Sequence, residues 1–103
     1  MSKETLRQYK TLRAELAYID LMLTQLQTQQ GTERDIIERQ SQRARILSIM
    51  RDIEAFIDSV SDPIDKCIFT MSVYDNLTYR EIGDTIHMDY TRVGRRMDRY
   101  LDC

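Results

Sequence analysis

Between Ser2 and Gln30, the apolar residues Tyr9, Leu12, Leu16, Ile19, Leu23 and Leu26 recur at spacings of 3, 4, 3, 4 and 3. That a/d stripe belongs to a helix packed on a neighbour at a shallow angle. The intervening positions are mostly charged or glutamine. Gln29-Gln30-Gly31-Thr32 closes the segment, and Gly31 suits the position just past a helix end. A second helix is predicted from Thr32 to about Val60. Thr32 serves as its N-cap, and Glu33 and Asp35 in the first turn suit the helix dipole. The stretch from Glu38 to Arg45 is polar. Beyond it Ile46, Ile49, Ile53, Phe56 and Val60 form a stripe flanked by Leu47, Met50 and Ile57, a face wide enough for more than one neighbour.

The two helices either fold back as an antiparallel hairpin or pair with a second chain as a coiled coil. Both arrangements bury the stripes. Leaving them in water would forgo about 25 cal/mol per Å² of apolar area.

Ser61-Asp62-Pro63 breaks the pattern and restarts it, with Asp62 as cap and proline at the first helical position. Residues 1–60 therefore form a helical hairpin or oligomerisation region, and 61–103 a terminal domain of three short helices. The first spans about Pro63 to Tyr74, with Ile64, Ile68 and Met71 on one face and Cys67 expected as a small buried residue. After a turn at Asp75-Asn76-Leu77, Thr78 and Glu81 form a capping box that opens a helix from Tyr79 to about Ile86. His87-Met88 is a second turn, in which His87 is expected to take φ > 0 in a structural role. Asp89 then caps a helix from Tyr90 to about Leu101. Gly83 sits in a helix interior, where glycine costs about 1 kcal/mol relative to alanine, which points to a close helix crossing. Ile82, Ile86, Met88, Val93 and Met97 supply the inner surface. The fold class is all-α, ending in a trihelical unit with helix-turn-helix dimensions.

The last helix has two sides. Val93, Met97, Tyr100 and Leu101 share one arc, and Arg92, Arg95, Arg96 and Arg99 the opposite one. Four arginines against Asp98 give Tyr90–Leu101 a net charge of +3, in a chain whose total is -2. Guanidinium forks suit phosphate oxygens and the guanine edge. The candidate DNA-contacting set is Tyr90, Thr91, Arg92, Arg95, Arg96 and Arg99, with Thr78, Tyr79 and Arg80 at the start of the preceding helix. Arg92 is expected at a base, and Arg95, Arg96 and Arg99 at phosphates.

Composition narrows the remaining classes. Charged residues are 31% and apolar residues 42% of the 103 positions, an ordinary globular balance. The pI of about 5.3 gives no overall basic signature. Cys67, Cys103 and the single His87 make neither a disulfide framework nor a zinc set, and reduced thiols in a cytoplasm are expected. MSKETLRQYK lacks the apolar core of a signal peptide, and no run of eighteen apolar residues spans a membrane. No phosphate loop or nucleophile–base arrangement supports an enzyme, and no cofactor is expected.

The run from Asp75 to Met97 resembles the helix-turn-helix of bacterial sigma-70 region 4. That pattern is a turn, then Ser/Thr-Tyr/Trp-x-Glu-Ile-Ala, a glycine turn, and Ile-Ser before a helix with a central valine and basic residues. Thr78, Tyr79, Glu81, Ile82, Ile86, Met88, Asp89 and Val93 fall on matching positions. Gly83 stands where alanine is usual, His87 where the turn glycine is usual, and Gly94 where arginine or a similar residue is common. Among small proteins the likeness is nearest to phage-encoded sigma-like regulators of the ArpU and RinA kind. It covers about forty residues and implies a transcription regulator that binds double-stranded DNA. The N-terminal helices are expected to form a dimer or to dock on RNA polymerase. Nothing in the chain looks like a promoter-melting region, so initiation by this chain alone is not implied. Two alternatives are a helical module that inhibits or recruits a host factor, and a DNA-binding small subunit of a phage packaging motor.

Overall fold

The computed structural model describes residues 1–29 and 33–101. The expected roles of Gly31 and Thr32, and Cys103, lie outside them. The described residues form helices and no strand: α1 (Lys3–Leu26), α2 (Glu33–Ser59), α3 (Pro63–Val73), α4 (Tyr79–Ile86) and α5 (Tyr90–Asp98).

Helices α1 and α2 pack antiparallel within one chain, which decides between the two pairings that the stripes allowed. Near the base of this hairpin the Tyr9 hydroxyl donates to Glu54 Oε2 at 3.2 Å, and farther out Arg43 Nε donates to Asp20 Oδ1 at 2.7 Å. Tyr9, Leu12 and Ile19 of the α1 stripe are buried, while Leu16, Leu23 and Leu26 are half-buried. On α2 the buried line is Ile46, Met50, Ile53 and Ile57. The expected Ile49 and Phe56 are only half-buried. The contact line has rotated by one residue because α2 must face α1 and α3 together.

A single hydrophobic core joins the base of the hairpin to the three short helices. Ile53 and Ile57 of α2, Ile68 and Phe69 of α3, Ile82 of α4 and Val93 of α5 are its fully buried side chains. Phe69 takes Phe56 edge-on at 5.4 Å and Tyr100 at 5.6 Å. Such T-shaped pairs contribute about 0.5–1.5 kcal/mol beyond area burial. The Val60–Ser61 boundary is thus a helix boundary across which packing is continuous, with Val60 itself buried. The molecule is elongated, 56 × 23 × 21 Å, because the distal hairpin extends past this core.

On α3 the buried positions are Asp65, Ile68, Phe69 and Val73. Cys67 is exposed, contrary to expectation, and Ile64 is 48% exposed. At 100° per residue both fall away from that buried line. No helix among the described residues is long and apolar enough to cross a membrane.

Candidate nucleic-acid interface

Local capping sets the two helices of the motif. The Thr78 hydroxyl accepts from the Glu81 amide at 3.2 Å, and the Glu81 carboxylate accepts from the Thr78 amide at 3.1 Å, closing the capping box. α4 ends at His87, whose φ of 57° and ψ of 49° are left-handed. The Met88 amide then returns to the Gly83 carbonyl at 2.8 Å. A Cβ on Gly83 would collide with the Met88 carbonyl oxygen, so the turn presses directly on the helix and glycine is required there. Asp89 caps α5 by accepting from the Thr91 amide at 2.8 Å and the Thr91 hydroxyl at 2.6 Å. Those two bonds, the hydroxyl's first, hold the Asp89 carboxyl below its ordinary range.

The expected outward set divides in two. Arg92, Arg95 and Arg99 are exposed and make no ion pair among the described residues. Arg96 departs from the expectation that it holds phosphate. Its Nε donates to Asp65 Oδ1 at 2.5 Å and its Nη2 reaches Asp62 Oδ1 at 3.4 Å. The Arg96 side chain keeps only 15% of its surface exposed and that of Asp65 only 6%. On the helical wheel Arg96 lies between the apolar arc and the outer arc, which lets α3 capture it. The Asp65 hydrogen bond pushes the Arg96 guanidinium up in pKa, and the same carboxylate raises the Tyr100 phenol, which donates to Oδ2 at 2.5 Å.

The remaining candidates are also sorted. Arg80 stacks over the Tyr90 ring with Cζ 5.1 Å from its centroid, joining the exposed starts of α4 and α5. Tyr79 is half-buried, and its ring lies where a Cβ on Gly94 would come within 3.3 Å. Its role is to seat α5 on α4. The Thr91 hydroxyl hydrogen is committed to Asp89, leaving its oxygen as an acceptor. Thr78 is exposed at the start of α4 as the cap.

Sequence reasoning missed Asp65. The available signal was its place three and four residues ahead of Ile68 and Phe69, a carboxylate on a buried line that demands a cation. Sequence reasoning also missed Lys3, whose Nζ pairs with Asp98 at 2.6 Å. Asp98 and Asp89 are thus both engaged, and the outward side of α5 is left with the three exposed arginines. No three His, Cys, Asp or Glu side chains among the described residues are grouped to hold a metal. Comparisons of the chain with protein-family models, curated proteins and solved structures yield no match.

Proposed function

We propose that the protein binds double-stranded DNA through α5 and regulates transcription. The observation that carries this is the exposed, unpaired trio Arg92, Arg95 and Arg99 on one side of a helix whose other side is anchored in the core. An α-helix is about 10–12 Å across with its side chains and so fits a major groove about 12 Å wide. Arg92, nearest the N-terminus of α5, addresses base edges; Arg95 and Arg99 address phosphates. Tyr90 and Arg80 flank this face. The motif's likeness to sigma-70 region 4, carried by Thr78, Tyr79, Glu81, Ile82, Ile86, Met88, Asp89 and Val93, supports a regulatory role of the phage sigma-like kind, with RNA polymerase as a further partner. The test is binding to a random duplex at low salt. The parent binds, and Arg92→Ala/Arg95→Ala/Arg99→Ala loses roughly tenfold per charge-assisted contact removed. Equal binding by both proteins at matched salt contradicts the proposal.

One observation favours a second role as a protein-interaction module. Tyr18, Leu21 and Ile37 on the distal hairpin are each more than half exposed, although large and apolar. Because the α1 and α2 stripes face each other within the chain, a dimer through the hairpin would use these outer residues. Light scattering with and without duplex discriminates: a monomer that binds duplex one to one removes the dimer.

A further inference from the structure

Beside the start of α4 lies an open cleft of about 420 Å³ between the first turns of α1 and the loop that follows α3. Lys3, Arg7 and Lys10 line it from α1, with Ser72, Asn76 and Thr78 opposite. No acidic side chain among the described residues lines it.

We propose that this cleft is a second phosphate-binding surface, which takes the backbone of duplex DNA flanking the groove occupied by α5. The proposal rests on the DNA-binding function above. Lys3, Arg7 and Lys10 fall at i, i+4 and i+7, so they share one edge of α1. Arg7 and Lys10 are exposed and form no ion pair among the described residues. Lys3 is bound to Asp98 of α5, which makes the α1 edge continuous with the recognition helix. Seven residues of helix span about 10 Å, and phosphates recur every 3.4 Å of axis along one strand, so the edge matches two or three of them. The Thr78 oxygen accepts from the Glu81 amide, which leaves its hydroxyl hydrogen to donate. Ser72 and the Asn76 amide add neutral donors.

The test is the salt dependence of duplex affinity for Arg7→Ala/Lys10→Ala. Its melting temperature should equal the parent's, because both side chains are exposed. Its slope of log affinity against log salt should be shallower by about two units, the same on any sequence. On a duplex trimmed to the segment covered by α5, parent and variant should agree. A parental slope in this variant, with a reduced slope in Arg92→Ala/Arg95→Ala/Arg99→Ala, overturns the cleft and leaves the α5 assignment standing. Parental slopes in both variants overturn both. A difference that persists on the trimmed duplex also overturns the flanking-backbone assignment.

Discussion

Arg96 Nε donates to Asp65 Oδ1 at 2.5 Å, and this bond fastens α5 to the first turn of α3. Tyr100, just past the end of α5, donates to the other carboxylate oxygen, so one buried acid holds both the last helix and the turn that follows it. Four arginines of similar spacing thereby divide into one that fixes the helix and three that remain outside. Arg96→Ala strands a buried carboxylate, the costly way to break an ion pair. It should lower the melting temperature by at least about 5 °C. Each of Arg92→Ala, Arg95→Ala and Arg99→Ala should leave it within about 2 °C. Thermal unfolding followed by circular dichroism checks the contrast.

The two glycines of the motif should respond oppositely to alanine. At Gly83 the new Cβ meets the Met88 backbone, which cannot retreat without opening the turn, so Gly83→Ala should destabilise by about 2 kcal/mol or more. At Gly94 the neighbour is the edge of the Tyr79 ring. A small ring shift there is offset by up to about 1 kcal/mol of helix propensity, and Gly94→Ala should be near neutral. Urea denaturation of the two variants measures the difference.

His87 occupies a left-handed conformation that costs a side-chain-bearing residue about 1–2 kcal/mol. Glycine removes that cost but gains freedom in the unfolded chain. His87→Gly should therefore stabilise modestly, by about 0.5 kcal/mol, seen as a higher urea midpoint with an unchanged slope. A loss of stability would assign His87 a contact beyond its backbone role.

Alkaline pH should weaken the fold. The Tyr100 phenol is raised above 10.0 by its bond to Asp65, Tyr9 is raised by burial and Glu54, and Tyr74 is pushed up to about 12, chiefly by burial. The folded state then keeps protons that the unfolded state releases near pH 10, so stability is full below that value and falls as pH rises toward about 12. Asp62 acts at the other end: the Asp65 amide foremost holds its carboxyl below 3.8, so its contribution is present above that pH and is lost as pH falls through the lowered value. Phenolate absorbance followed beside circular dichroism should show ionisation of Tyr9, Tyr74 and Tyr100 together with unfolding. Titration of Tyr9, Tyr74 and Tyr100 near pH 10 in a folded protein would contradict this.

The parts of the fold legible in the sequence are those decided locally. The Asp62 and Asp89 caps, the Pro63 restart, the Thr78–Glu81 box and the left-handed His87 depend on neighbours within a few residues, and each appears at its expected position. Choices between distant partners were not legible. An a/d stripe is satisfied equally by its own chain or another, so periodicity left the α1–α2 pairing open. The rotation that buries Met50 and Ile57 in place of Ile49 and Phe56 follows from where α3 sits. Arg96 looked like its neighbours because its partner lies thirty-one residues earlier. α5 ends at Asp98 rather than near Leu101 because the last residues tighten, with the Tyr100 amide returning to the Met97 carbonyl at 3.0 Å.

On this reading the outward side of α5 meets duplex DNA while Arg96 stays with Asp65. Titrating isotope-labelled protein with a duplex at low salt, and following backbone amide and arginine Nε resonances, tests it most directly. The largest changes should fall at Arg92, Arg95 and Arg99 and at the starts of α4 and α5, with the Arg96 Nε resonance unmoved. Changes confined to the distal hairpin around Tyr18, Leu21 and Ile37, or none at saturating duplex, would contradict it.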